Sequence, residues 1–168
     1  MVSTELFWID GPWCGKLALA ARPRGGEWLE DEMGAWRRAG VDTVLSLLTE
    51  HEEEDLGLEN EAAAVHGHEM RFRSFPIEDR QVPRSPSELA KTIEDLECDL
   101  SDGKNLVIHC RQGVGRSGLV GACLMIAAGV DANTAIERLS AGRGVPIPET
   151  AEQRHWIDYY AGSLAGAP

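Results

Sequence analysis

One cysteine and one arginine stand at a spacing that suits phosphate chemistry. Cys110 and Arg116 are separated by five residues, two of them glycine, and Ser117 follows the arginine. A cysteine thiolate is a nucleophile, and the planar guanidinium of arginine matches two phosphate oxygens. The spacing therefore predicts a nucleophile and a phosphate-binding cation within one short loop.

The flanking residues predict the elements that position this loop. Apolar residues 106–108 lead in and apolar residues 119–126 lead out, a pattern typical of strand, tight loop and helix. Glycine permits positive φ, loop amides can form an anion-binding nest, and the helix N-terminus adds partial positive charge. The same field favours a thiolate, so we expect the pKa of Cys110 to lie below the free value of about 8.5. The predicted phosphate-binding residues are Arg111, Gln112, Gly113, Val114, Gly115 and Arg116.

The loop also contains the glycine pattern of dinucleotide-binding folds, at Gly113, Gly115 and Gly118. That pattern requires a second strand and an acidic residue about 20 residues later. Residues 129–134 instead predict the end of one helix and the start of another. A nucleoside triphosphate loop needs Gly-Lys-Ser/Thr, whereas residues 115–117 are Gly-Arg-Ser. We therefore disfavour nucleotide binding and expect no cofactor and no metal.

The sequence His-Cys-x5-Arg-Ser at residues 109–117 resembles the active-site motif of the cysteine-dependent protein tyrosine phosphatases. The chain is similar to the dual-specificity branch, and most similar to the cyclin-dependent kinase inhibitor phosphatase type. Residues 75–79 (Phe-Pro-Ile-Glu-Asp) and 149–153 (Glu-Thr-x-x-Gln) support the resemblance, which covers residues 40–162 and is weaker over residues 1–39.

The resemblance implies hydrolysis of a phosphate monoester in two steps. The Cys110 thiolate attacks phosphorus to give a phosphocysteine, which water then hydrolyses. Arg116 and the loop amides hold the phosphoryl oxygens. We expect His109 to orient the loop and support the thiolate, with a core histidine as the alternative. Ser117 is expected to donate a hydrogen bond to the sulfur, with a helix-capping hydroxyl as the alternative.

The leaving oxygen needs a proton donor, and Asp79 is the candidate. It lies 31 residues before Cys110, in a loop between Pro76 and Pro83. In the phosphatases that this chain resembles, an aspartate at this place is the general acid. Glu78 is a weaker rival, and Asp79 as a mere turn residue is the alternative.

Gln153 matches a position that orients the hydrolytic water in some tyrosine phosphatases. Its partner position, often glutamine, is Glu149 here. Because of that departure we favour a helix-surface position for Gln153 over a role in positioning water.

The order of elements predicts an α/β fold, with a single twisted, mostly parallel sheet of about five strands and helices on both faces. We expect one phosphatase domain over residues 1–168, in which residues 1–39 supply N-terminal strands and a helix. Strands are predicted at 6–9, 17–20, 41–48, 69–75 and 105–109. Helices are predicted after Thr49 and at 27–39, 58–66, 86–100, 116–128, 132–141 and 150–162.

The net charge of −12 argues against nucleic acid and membranes as partners. A protein this acidic needs local positive charge to bind an anion. Thirteen of its sixteen cationic residues are arginine. We expect the acidic segment from Glu50 to Glu61 to face elsewhere, and the following arginines to surround the site: Arg71, Arg73, Arg80, Arg84, Arg111 and Arg116.

The expected partner is a phosphorylated protein or peptide. Only two tyrosines are present, at 159 and 160, so we predict a shallow pocket and dual specificity for phosphotyrosine and phosphoserine or phosphothreonine. Four cysteines without metal-type spacing predict a reducing, cytoplasmic location. The alternatives are a catalytically weak phospho-binding module and a phosphatase for a phosphoinositide or an RNA 5′-triphosphate. No oligomeric state is predicted.

Overall fold

One five-stranded sheet runs through the protein, whose computed structural model describes residues 3–165. The strand order is β1-β2-β5-β3-β4, with β1 antiparallel to β2 and the other neighbours parallel. The predicted single, mostly parallel sheet is confirmed. The strands are β1 (Phe7–Ile9), β2 (Leu17–Ala20), β3 (Thr43–Ser46), β4 (Arg71–Ser74) and β5 (Leu106–His109).

Helices cover both faces of the sheet, as the sequence predicts. Side chains of α1 and α3 form one core with alternate residues of the strands, and α4 to α7 form the other. The helices are α1 (Leu29–Arg38), α2 (Glu50–Leu56), α3 (Glu61–Gly67), α4 (Pro86–Ser101), α5 (Arg116–Ala127), α6 (Ala132–Arg143) and α7 (Ala151–Ala165). Among the described residues, none of the helices is long and apolar enough to cross a membrane.

Helix α5 is the central helix, because eleven of its twelve residues are buried. A helix that is apolar on all sides must be surrounded by protein. It packs against α4, α6, α7 and the central strands of the sheet. The loop between β5 and α5 therefore rests on two elements that packing holds in place.

Polar side chains start the helices near the candidate site. Thr49 and Glu52 form a reciprocal capping box at α2, and the hydroxyl of Ser85 accepts from the Glu88 N–H at α4. Helix α2 ends at Gly57, whose φ of +68° suits glycine. Helix α3 then begins only at Glu61, three residues later than predicted, because residues 58–60 form the turn between the two helices.

Candidate active site

The loop between β5 and α5 has a conformation that requires glycine. Gly113 has φ of +74°, and a Cβ there would lie 2.6 Å from the backbone carbonyl carbon and oxygen of Ala20. A Cβ on Gly115 would come within 2.9 Å of the side-chain oxygens of Gln153 and Glu149. Glycine is therefore required at position 113 by the positive φ and the Ala20 backbone, whereas a side chain at position 115 would displace the ends of Gln153 and Glu149.

The carbonyl groups of this loop bond to residues outside it. Arg22 N donates to the Arg111 carbonyl at 3.3 Å. Arg143, at the end of α6, donates from Nε to the Gly113 carbonyl and from Nη2 to the Gln112 carbonyl, each at 3.1 Å. With carbonyls held outward, the loop amides are free to face an anion on the inner side. No local sequence signal identified Arg143, which the sequence analysis missed.

Cys110 lies at the bottom of the loop and is only 3% exposed. Its Sγ is 3.3 Å from the Gly113 N–H that donates to it and 3.3 Å from the Ser117 hydroxyl. The sulfur thus lies against a backbone donor and a hydroxyl, next to the N-terminus of α5. Ser117 is fully buried and directly at the sulfur.

Arg116 is buried and held from two sides. Nη1 donates to Glu52 Oε1 at 2.6 Å and to the Ile77 carbonyl at 2.7 Å, and Nη2 donates to Glu52 Oε2 at 2.9 Å. Burial acts to lower the pKa of Arg116, but the hydrogen bond to Glu52 and the negative charges of Cys110, Glu52 and Asp79 raise it overall. The guanidinium is therefore a permanent, oriented cation.

Glu52 corrects the expectation that the acidic segment 50–61 faces away from the site. Its place in the Thr49 capping box turns its carboxylate inward onto Arg116, and its Oε2 also accepts from Arg111 Nε at 3.3 Å. Burial acts to raise the pKa of Glu52, but hydrogen bonds from Arg116, the Thr49 backbone and Arg111, with the charge of Arg116, lower it to about 2. Glu52 is thus an anion that orients Arg111 and Arg116. The sequence did not predict this role.

Asp79, the candidate general acid, lies beside Arg116. Arg116 Nη2 donates to Asp79 Oδ1 at 3.1 Å, and the Asp79 side chain is 54% exposed. The rival Glu78 instead faces Arg84, with 3.8 Å between Oε1 and Nη2. Both carboxylates line an open cleft of about 1200 Å³ between α2 and the loop that follows β4. The exposed Asp79 can therefore reach a ligand that enters from this cleft.

Gln153 is fully buried, so its expected position on a helix surface is wrong. Its Nε2 donates to the Gln81 carbonyl at 3.2 Å, and its Oε1 accepts from the Glu149 and Thr150 N–H groups. Glu149 also pairs with Arg80, with 2.6 Å between Oε1 and Nη1. The buried side-chain amide of Gln153 accepts from N–H groups at the start of α7 and donates to the loop that contains Asp79. It therefore links that loop to the helix.

His109 and Glu61 form a buried pair next to Cys110. His109 Nε2 lies 2.6 Å from Glu61 Oε2, and both residues are at most 1% exposed. His109 Nδ1 is 3.5 Å from the Cys110 carbonyl oxygen. After Glu52, Glu61 is another member of the acidic segment 50–61 that points into the protein, and no local sequence pattern predicted this position.

Two of the six expected arginines lie away from the loop. Arg71 pairs with Asp99 and Arg73 with Asp95, because β4 is an edge strand packed beside α4, where these acids lie. Arg84 and Arg111 line the cleft, Arg116 lies next to Asp79, and Arg80 contacts Glu149. In residues 3–165, no group of three His, Cys, Asp or Glu side chains is arranged to hold a metal ion.

Comparison with known proteins gives a family and a fold. The family model described as "Swiss Army Knife protein, DSP-PTPase phosphatase domain" matches residues 13–154. A solved structure of kinase associated phosphatase, with its catalytic-site cysteine replaced by serine, superimposes with a TM-score of 0.87. That alignment covers 100% of this chain and 99% of the other at 20% identity, which shows the shared fold.

Two curated relatives match part of the chain. Cyclin-dependent kinase inhibitor 3 of Sus scrofa is 28% identical over 131 residues, which are 77% of this chain and 61% of the relative. A protein of Invertebrate iridescent virus 6 named as a tyrosine phosphatase is 32% identical over 116 residues, 65% of this chain and 42% of the relative. The chain thus spans less than two thirds of the length of either relative.

Proposed function

The chain belongs to the dual-specificity branch of the cysteine-dependent protein tyrosine phosphatases, and from this premise we propose that it hydrolyses phosphate monoesters of protein side chains. One observation carries the proposal most directly. The Cys110 sulfur accepts a hydrogen bond from the Gly113 amide. The Gly113 carbonyl bonds outward to Arg143, and the charge of Arg116 interacts with that of Cys110. A thiolate under an oriented anion site can attack a bound phosphoryl group.

In the first step the substrate phosphate occupies the loop, and its oxygens accept from the inner amides and from Arg116. Asp79 gives up its contact with Arg116 Nη2, because its half-exposed carboxyl is the mobile partner while Glu52 is buried. The thiolate then forms a bond to phosphorus as the bond from phosphorus to the leaving oxygen breaks. Protonated Asp79 transfers its proton to that oxygen, so the leaving group departs as a neutral alcohol or phenol.

In the second step water attacks the phosphocysteine. The Asp79 carboxylate takes a proton from the water, an oxygen–phosphorus bond forms, and the sulfur–phosphorus bond breaks. Electrons of the broken bond return to Cys110 as a thiolate. The Ser117 hydroxyl, 3.3 Å from the sulfur, stabilises that developing charge.

The cleft supports a protein substrate with more than one kind of phosphorylated side chain. Of the twelve described residues that line it, none is Phe, Tyr or Trp. This cleft adjoins the Cys110 loop through Arg111 and Asp79, and the absence of an aromatic wall among its lining residues is compatible with dual specificity. Arg111 is the only cation between Cys110 and Arg116, which gives little support for a multiply phosphorylated inositol ring.

The proposal also includes the cellular compartment in which the enzyme acts. All four cysteines of the described chain are free, and a catalytic thiolate needs a reducing compartment, which favours the cytoplasm. We propose that the chain acts as one phosphatase domain on phosphorylated proteins, without a cofactor. A phospho-binding module would not need Asp79 next to Arg116.

The test is hydrolysis of a small aryl phosphate by the wild type and two cysteine variants. Cys110→Ser should lose activity by about 10⁴-fold or more, whereas Cys98→Ser, at an exposed position on α4, should retain it. Wild-type turnover of both a phosphotyrosine and a phosphothreonine peptide would support dual specificity. An inactive wild type, or full activity in Cys110→Ser, would refute the proposed function.

A further inference from the structure

An ion pair joins the loop that carries Asp79 to the segment that leads into α7. Arg80, the residue after Asp79, donates from Nη1 to Glu149 Oε1 at 2.6 Å, between positions 69 residues apart in the sequence. The backbone of Arg80 has φ of +63°, a conformation that costs free energy in any residue other than glycine. Such a conformation persists only where neighbouring contacts hold it, and the pair with Glu149 is one of these contacts.

The other oxygen of Glu149 lies against the loop between β5 and α5. A Cβ on Gly115 would meet Glu149 Oε2 at 2.9 Å, so the carboxylate fits closely beside the glycine backbone. Glu149 thus contacts Arg80 with one oxygen and lies beside the Cys110 loop with the other. The Arg80 side chain is 59% exposed and that of Glu149 30%, so the pair bridges the two loops at the protein surface.

Gln153 provides a second, buried link between the same two regions. Its Nε2 donates to the Gln81 carbonyl at 3.2 Å, and its Oε1 accepts from the N–H groups of Glu149 and Thr150. The residue is fully buried, and these bonds engage both ends of its amide. Both residues that directly follow Asp79 are therefore bonded to the start of α7.

The segment before Asp79 is fixed by other contacts. The Ile77 N–H donates to the Leu47 carbonyl at 3.0 Å, and the Ile77 carbonyl accepts from Arg116 at 2.7 Å. Asp79 itself accepts from Arg116 at 3.1 Å, and in the proposed function a bound phosphate replaces that contact. After the exchange, the position of the Asp79 carboxyl depends on the residues on either side of it.

We propose that Arg80 and Glu149 are positioning residues that hold Asp79 beside the Cys110 loop once phosphate is bound. Their ion pair fixes the chain after Asp79, as the Ile77 bonds fix the chain before it. The inference rests on the proposed function, because Asp79 is the general acid of that reaction. It assigns residue 149 to transfer of the proton to the leaving oxygen, whereas orientation of the hydrolytic water would assign it to the second step.

The experiment compares kcat/KM for an alkyl phosphate and for an activated aryl phosphate in Arg80→Gln and Glu149→Gln. Each variant should lower kcat/KM for the alkyl phosphate by about three- to fivefold, the effect expected from the loss of one exposed ion pair. For the aryl phosphate the loss should be less than about twofold, because a good leaving group needs little help from a proton donor. Retained activity toward the aryl phosphate also shows that the variants are folded.

Changes in both partners show whether the pair acts as a unit. The double variant Arg80→Gln/Glu149→Gln should lose no more than either single variant, and the exchanged pair Arg80→Glu/Glu149→Arg should recover part of the loss. Arg73→Gln is the matched control, because Arg73 forms a partly exposed pair with Asp95 at 2.8 Å, away from the Cys110 loop. It should leave kcat/KM unchanged for both substrates.

Equal losses with the two phosphates, in variants that unfold at the wild-type temperature, would overturn the inference, since proton transfer would not be the step affected. So would additive losses in the double variant, or unchanged kcat/KM in both single variants. A larger burst of released phenol at constant kcat/KM would overturn it too, because Glu149 would then act on hydrolysis of the phosphocysteine. Failure of the proposed function is distinct: the wild type would hydrolyse neither phosphate.

Discussion

Charged residues cluster at both the amino-terminal edge of the sheet, where the parallel strands begin, and the carboxyl-terminal edge, where they end. The two clusters are built differently. At the amino-terminal edge, Asp42 accepts from the Asn105 backbone N–H at 2.8 Å and from Arg37 at 2.8 Å. Arg71 pairs there with Asp99 at 3.0 Å. At the carboxyl-terminal edge, the Cys110 loop meets Arg116, Glu52 and Asp79 next to an open cleft.

The difference lies in what remains available to a ligand. At the amino-terminal edge, the polar side chains form hydrogen bonds with one another and with backbone groups where the strands begin. That cluster is therefore structural. At the carboxyl-terminal edge, the Gln112 and Gly113 carbonyls bond to Arg143 and the Asp79 side chain is half exposed, so in the proposed function a phosphate replaces the contact between Asp79 and Arg116. Ligands of open α/β sheets bind at this edge, and here the chemistry of the residues explains why.

Substitution of matching arginines at the two edges should give the largest contrast. Arg116→Lys should lower kcat/KM by about 10³-fold, because lysine cannot provide the planar pair of donors that holds the phosphoryl oxygens. Arg71→Lys should leave kcat/KM unchanged. Steady-state kinetics with an aryl phosphate checks both variants, and equal losses in the two would remove the distinction between the edges.

The next effect concerns the two neighbouring carboxylates of the cleft. Asp79→Asn should lower kcat for an alkyl phosphate by about 10²-fold, since no proton is then delivered to the leaving oxygen. An activated aryl phosphate should be affected less. Glu78→Gln should behave as the wild type with both substrates. If Glu78→Gln shows the loss and Asp79→Asn does not, the general acid has been assigned to the wrong residue.

A smaller effect is expected where Arg143 holds the outer carbonyls of the loop. Arg143→Gln should weaken binding of inorganic phosphate and lower kcat/KM about tenfold, because a slightly displaced loop aims its amides less well. Isothermal titration with phosphate measures the binding directly. Arg138→Gln, on the same helix, is the control. Unchanged phosphate affinity in Arg143→Gln would show that the loop keeps its shape without that contact.

The pH dependence of stability should distinguish Glu52 from ordinary surface acids. Because its folded-state pKa is lowered to about 2 from a usual 4.5, Glu52 stabilises the fold above pH 4.5, and this contribution is lost as pH falls toward 2. Glu52→Gln should therefore lower the free energy of unfolding at pH 7 by about 2–3 kcal/mol, with a difference from wild type that shrinks in acid. Urea unfolding between pH 3 and 7 measures this, with the exposed Glu59→Gln as control. A difference independent of pH would mean that the carboxylate charge is not what Glu52 contributes.

The sequence predicted what local spacing determines. The strand, glycine loop and helix around Cys110 follow from the pattern of residues 106–126, and the helices predicted after Thr49 and from residue 86 begin at those positions. These features depend on neighbours only a few positions apart. The same holds for the mostly parallel sheet, which follows from strands that alternate with helices.

The supporting residues depend on pairing between distant segments. Glu52 contacts a partner 64 residues away, Glu61 one 48 residues away, and Arg143 a carbonyl 30 residues away. Acidic runs are usually solvated, so nothing local marked Glu61 as inward-facing. The capping box places Glu52 at the start of α2 but does not by itself reveal the partner Arg116. Gln153 was misplaced for the same reason, since its buried contact is with Gln81, in a loop far away in the sequence.

The covalent intermediate on Cys110 tests the central claim most directly. Wild-type protein is mixed with an aryl phosphate, quenched within milliseconds and digested, and the peptides are analysed by mass spectrometry. We predict one phosphoryl group on the peptide that contains Cys110, none in Cys110→Ser, and accumulation that matches the burst of released phenol. Turnover without a phosphoryl group on Cys110, or with one on another residue, would contradict the account.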